Sequence, residues 1–90
     1  MRFSIVTICR NAERFLEETI ASVLRQDFED FEYLLIDGGS KDGTLGIIRR
    51  FAAGDRRIRW SSAPDSGIAD AMNRGIKESC GEIVSFLHAE

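Results

Sequence analysis

Four strand-like runs alternate with segments of helical periodicity, and this alternation constrains the chain more than any other feature. Phe3–Cys9 (FSIVTIC), Phe31–Ile36 (FEYLLI) and Glu82–Leu87 (EIVSFL) carry few polar residues, and Ile58–Ser61 is a short strand. Runs of that kind suit strands buried on both faces, as in a parallel sheet with helices above and below. The intervening segments repeat their apolar residues at helical spacing. The resulting order is β-α-β-α-β-α-β, which reads as an α/β domain. At 90 residues the chain makes one domain at most.

Local signals set the expected boundaries. Asn11 is expected to cap the first helix, with Glu13 favouring its first turn and Phe15, Leu16, Thr19, Ile20, Val23 and Leu24 on its buried face; the helix should end near Gln26. Asp37-Gly38-Gly39-Ser40-Lys41-Asp42-Gly43 is a loop by composition. Thr44 is placed to cap a second helix with Ile47, Ile48 and Phe51 inward, broken at Gly54-Asp55. After a loop at Pro64–Gly67, a third helix buries Ile68, Met72 and Ile76, and Gly81 suits its C′ position. Right-handed crossovers and the usual doubly wound half give strand order 3-2-1-4, a Rossmann-like three-layer arrangement. Ligands of such sheets bind beyond the carboxyl ends of the strands, at the reversal between strands 1 and 4.

That rim collects the residues able to do chemistry. Thr7 and Asn11 follow strand 1, Asp37 follows strand 2, Asp65 and Asp70 follow strand 3, and His88 and Glu90 follow strand 4. Asp37 comes directly after a buried strand, where a carboxylate needs partners. It can accept hydrogen bonds from a ribose hydroxyl or a base N–H, or it can cap the glycine loop through an Asx-turn. Strand 1 is followed by Arg10-Asn11-Ala12 without glycine, so the dinucleotide fingerprint is absent, and no Gly-Lys-Ser/Thr makes a P-loop. A phosphate held by a metal is then the better alternative, with Glu90 and His88 as candidate ligands.

Charge and cysteine usage exclude other classes. The net charge of −3, with both signs interspersed, gives no drive toward nucleic acid. No apolar run approaches the ~18 residues of a membrane span. Met1-Arg2-Phe3 leads straight into strand pattern, so no secretory leader is expected. Cys9 and Cys80 fall at opposite ends of the sheet, too far apart for a disulfide, and two reduced thiols suit a cytoplasmic location, which includes the cytoplasmic face of a membrane. Arg49, Arg50, Arg56, Arg57 and Arg59 read as the solvated face of helix 2 and its loop, with contact to anionic lipid or to another part of a longer protein as the alternative; Phe28 and Trp60 read as packing residues. Strand 4 carries one charge at its start, and with an uncovered edge it invites self-association.

Four motifs in order resemble the glycosyltransferases of family 2, which have the GT-A fold. They are Ser4-Ile5-Val6-Thr7 with Asn11 and Leu16–Gln26, then Ile36–Thr44, then Pro64–Ile76, and Gly81–Glu90, which is similar to the lead-in to a DXD-type metal motif. The Pro64–Ile76 segment resembles bacterial members that build surface polysaccharides. The resemblance implies that residues 1–90 are the N-terminal nucleotide-sugar-binding part of a transferase, reaching to the metal motif. It implies a nucleotide diphosphate sugar, UDP-linked, as donor and a saccharide or lipid-linked acceptor, with inversion at the transferred carbon. Thr7 and Asn11 would border base and ribose, Asp37 would bind uracil or ribose, Asp65 would line the site and Asp70 support it. Glu90 would hold a divalent cation, Mg or Mn, and the catalytic base would lie beyond it. The family often has proline at Ile8, an aromatic residue at Arg10, Glu at Ala63 and Tyr at Ala69. A non-catalytic nucleotide-binding module, or a fragment that folds without a ligand, are the competing readings.

Overall fold

A computed structural model describes residues 3–26, 30–64, 67–81 and 83–88. The elements are β1 (Phe3–Cys9), α1 (Leu16–Leu24), β2 (Phe31–Asp37), α2 (Thr44–Gly54), β3 (Ile58–Ser62), α3 (Ile68–Glu78) and β4 (Ile83–His88). All strands pair in parallel, in the order β3-β2-β1-β4. Strand order and class are those the sequence predicts.

The register explains the apolar runs. Because side chains alternate between faces, each central strand must fill two cores. On one face Ile5, Cys9, Tyr33, Leu35 and Ile58 pack with Leu16, Ile20 and Val23 of α1 and Ile48 of α2. On the other, Val6, Leu34 and Ile36 pack with Ala71 of α3, and Ile8, Val84 and Phe86 close against them. β2 is buried at all seven positions.

Three local expectations are corrected. Asn11 does not cap α1: its φ is +51°, and a turn follows in which Phe15 and Leu16 N–H both reach the Ala12 carbonyl, at 3.0 and 2.9 Å. The helix begins only at Leu16, and asparagine serves instead because it tolerates the left-handed region. Thr44 is the first residue of α2 rather than its cap; the Asp42 carboxylate takes both its N–H (3.0 Å) and its hydroxyl (2.5 Å). Gly81 is not the C′ residue of α3, which ends at Ser79 in extended conformation. Its small size serves close approach: a Cβ there would lie 2.6 Å from Ser4 N and 2.7 Å from the Phe3 carbonyl carbon.

The arginine-rich stretch is mostly paired. Arg57 grips Asp55 (2.6 Å) and lies over the Phe31 ring, Arg50 meets Glu17 at 3.0 Å in a solvated pair, and Arg49 lies 5.7 Å from the half-exposed Trp60 ring. Arg59 reaches the buried Glu32 at 2.6 Å. At the other side of the sheet β4 pairs only with β1 among the described residues, and Ile83 and Leu87 are exposed. A groove of about 380 Å³ runs there between β4 and the end of α1, lined by Phe3, Ile5, Val23, Ser85 and Leu87 among others.

Candidate nucleotide-binding rim

At the carboxyl edge of the sheet, Cys9, Asp37 and Ser62 stand in one register row across β1, β2 and β3. The ladder runs on past the strand ends, with Gly38 N–H bonded to the Cys9 carbonyl (2.9 Å) and Ala63 N–H to the Asp37 carbonyl (3.1 Å). Three loops therefore leave the sheet side by side. Asp37 sits in the middle of them and is wholly buried.

A buried carboxylate is tolerable only when its lone pairs are met. The Asp37 Oδ2 accepts Gly39 N–H (3.1 Å), Ser40 N–H (3.0 Å) and the Ser62 hydroxyl (2.7 Å), and Oδ1 accepts the Ser40 hydroxyl. Burial alone would raise its pKa, but the two hydroxyls and two amides outweigh it, and the carboxyl titrates below its usual range. Of the two roles open to Asp37 in the sequence, the loop-capping one is the arrangement observed. Gly39 takes φ +90° in this turn and packs on Pro64, where a Cβ would lie 3.3 Å from the proline Cα.

Two hydroxyls stitch the first loop to the second in the same way. Ser40 Oγ donates to Asp37 and accepts Asn11 N–H (2.8 Å); Thr44 Oγ1 donates to Asp42 and accepts Ala12 N–H (2.8 Å). Asn11 Oδ1 returns a bond from Lys41 N–H (2.8 Å), and Glu13 Oε2 accepts Gly43 N–H (2.9 Å). On the third loop, Arg74 of α3 donates to Ser61 Oγ (3.0 Å) and to the Ala63 carbonyl (3.3 Å). The rim is a hydrogen-bonded frame, and Arg10, Asn11, Lys41 and Asp42 are among its exposed residues.

The predicted site residues divide accordingly. Asn11 and Asp37 come together, linked through Ser40. Asp70 lies half-buried in the first turn of α3, where a carboxylate complements the helix dipole. Thr7 lies two residues inside β1, wholly buried, with its hydroxyl 2.7 Å from the Tyr33 hydroxyl, below the rim rather than on it. Asp65 and Glu90 lie outside the described residues. Among the described residues no three His, Cys, Asp or Glu side chains gather to hold a metal ion. Burial, with Asp37 and Asp42 adding to it, pushes the Cys9 thiol up to about 12, and burial takes Tyr33 to about 12, so both are protonated near neutrality.

Sequence reasoning missed Ser62 and the cluster at the opposite edge of the sheet. There Glu32, wholly buried, accepts the Ser4 hydroxyl (2.5 Å), Cys80 N–H (2.5 Å) and Arg59 Nη1 (2.6 Å). The available signal was a glutamate inside an otherwise apolar strand. Cys80 is exposed and free at that edge, and Cys9 is buried and free near the rim.

Comparison with known proteins places this frame. The family model described as glycosyl transferase family 2 matches residues 4–89. The chain is 41% identical over 90 residues to a PGL/p-HBAD biosynthesis glycosyltransferase of Mycobacterium bovis (strain BCG / Pasteur 1173P2), covering 98% of the chain and 35% of that relative. Its structure is similar to that of S. aureus TarS 1–349 in complex with UDP-GlcNAc, with TM-score 0.91 and 28% identity over 99% of this chain and 26% of TarS. It is equally similar to the mannosyltransferase PcManGT from Pyrobaculum calidifontis in complex with GDP-Man and Mn2+, with TM-score 0.90 and 26% identity over 98% of this chain and 27% of that one. The chain spans about a quarter to a third of the length of the curated relatives it matches. Its fold is the Rossmann-like half of a GT-A fold. With the match running from the second residue of β1 to the end of β4, the chain belongs to glycosyl transferase family 2.

Proposed function

We propose that this chain is the donor-binding portion of a longer sugar transferase, and that the rim above β1, β2 and β3 receives the nucleotide of a nucleotide diphosphate sugar. The observation that carries the reading is the frame itself: three loops at the carboxyl ends of parallel strands, tied together by Asp37, Ser40 and Thr44 through hydrogen bonds within the chain. Such pre-ordering lowers the cost of binding. The position beside the β1/β4 switch is where open α/β sheets take ligands. Relatives that carry UDP-GlcNAc and GDP-Man support a sugar nucleotide as the ligand class.

Within this reading the donor is UDP-linked and the acceptor a saccharide or a lipid-linked saccharide at the cytoplasmic face of a membrane. Transfer inverts the sugar carbon, and a carboxylate that follows the metal motif in the longer protein deprotonates the acceptor hydroxyl. Asn11 borders the nucleotide, Asp70 and Asp65 support the site, and Glu90 contributes to a divalent cation. Among the described residues, Asn11 and the Asp37 frame are those we assign to holding the donor.

Calorimetric titration checks this reading. UDP is expected to bind the chain, and GDP and NAD to bind more weakly. Heats indistinguishable from dilution for every nucleoside diphosphate would contradict the donor reading. Sugar transfer by the longer protein separates it from a non-catalytic binding module.

A further inference from the structure

Ser62 ends the edge strand β3, exposed as a residue, yet its hydroxyl turns inward to the wholly buried Asp37 carboxylate at 2.7 Å. The other donors to Asp37 come from Gly39 and Ser40, two and three residues on, and an Asx-turn supplies these without help from the rest of the fold. Ser62 is the long-range donor, 25 residues away in sequence, and it attaches the third loop to the frame. From Ser62 an unbroken hydrogen-bonded path leads through Asp37 and the Ser40 hydroxyl to the Asn11 N–H, in a residue held at φ +51°.

We infer that Ser62 is a positioning residue of the donor site: acting through Asp37, it fixes the Gly39–Ser40 turn and Asn11 in the arrangement that receives the nucleotide. The inference rests on the donor reading above. Ser62 itself need not touch the ligand. Loss of its hydroxyl leaves the local turn bonds of Asp37 in place, so the fold persists while the frame loosens on its β3 side. The effect on affinity is then indirect and base-independent, because the whole frame shifts rather than one contact to the ring.

The test compares wild type, Ser62→Ala and Ser62→Thr for UDP and GDP binding by calorimetry, alongside thermal unfolding and backbone amide spectra without ligand. Ser62→Ala is expected to weaken both nucleotides by about three- to tenfold, the share of a charge-assisted hydrogen bond passed on to the site. Ser62→Thr, which keeps the hydroxyl, restores the affinity. In the ligand-free spectra of Ser62→Ala, the amides of Gly39, Ser40 and Asn11 should move, because each is joined to Ser62 through Asp37. A Ser40→Ala, Ser62→Ala double variant should lose less than the product of the single losses, since both act on one carboxylate. Wild-type binding with unchanged affinity in Ser62→Ala, or amide shifts confined to β3, overturns the inference and leaves the donor reading standing. A wild-type chain that binds no nucleotide overturns both. If Ser62→Ala unfolds, Ser62→Thr and the amide positions in Ser40→Ala decide: unmoved Asn11 and Gly39 amides there contradict the path.

Discussion

Replacing Glu32 by alanine is expected to cost the folded chain about 2–4 kcal/mol, the largest loss for any single polar side chain here. Glu32 is wholly buried, and its two oxygens take Ser4, Cys80 and Arg59. Alanine would leave the Cys80 N–H and the Ser4 hydroxyl without that acceptor beneath the sheet, and Ser4 also receives Gly81 N–H at 2.8 Å. The start of β1, β2 and the entry to β4 would lose their common fastening. Arg59 is different, being 48% exposed on its side chain. Its charge returns to water when the pair is broken, so Arg59→Ala should cost about 1 kcal/mol or less. Denaturant unfolding of the two variants checks the order; an equal loss for both would contradict the role given to Glu32.

Asp37→Ala is the second large effect, and it should strike folding and binding together. The carboxylate satisfies two amides and two hydroxyls. Its loss is expected to destabilise the chain by about 2–3 kcal/mol. Affinity for UDP per folded molecule should fall about tenfold or more, because the frame from Asn11 to Ser62 loses its centre. A residue that only contacted the nucleotide would lose affinity at nearly unchanged stability, and one that only capped a loop would lose stability at unchanged affinity. Unfolding curves and calorimetry on the same variant distinguish the three cases.

Both carboxylates also fix how stability responds to acid. Burial would raise each pKa, but hydrogen bonds from Ser4, Cys80 and Arg59 lower Glu32, and those from Ser40, Ser62 and Gly39 lower Asp37. Groups whose folded pKa is depressed contribute fully above their unfolded values, about 3.9 for Asp and 4.3 for Glu, and lose that contribution as pH falls through the folded values. Stability should therefore decline on acidification below about pH 4. The slope should flatten when Glu32→Gln and Asp37→Asn are combined; an unchanged slope would contradict the assignment.

The parts of this architecture that were legible in the sequence are those set by local pattern. Strands buried on both faces cannot alternate, and β1 and β2 announce themselves through that continuity. The handedness of crossovers then leaves few orders for four strands, and 3-2-1-4 is the one observed. The place of Asp37 at the rim followed from the strand end. Its partners did not, because Ser62 becomes a neighbour only through the β2–β3 register. Arg59 is likewise 27 residues from Glu32, so the sequence could flag an unexplained glutamate without naming what satisfies it. Asn11 misled for a different reason. The same short polar side chain that suits a helix cap also suits the left-handed region, and the turn at Ala12–Leu16 delays the helix past it. The depth of Thr7 was not legible either, because two further residues of β1 follow it before the strand ends.

The most direct test of the central claim is a UDP titration of the chain followed at each backbone amide. The account predicts saturable shifts gathered at one edge of the sheet, in Asn11, Gly38 to Lys41 and Ser62, with the first turn of α3 joining them. Ser4, Glu32 and Cys80 at the opposite edge should stay still. Shifts centred on that opposite edge, or none at saturating UDP, would contradict it.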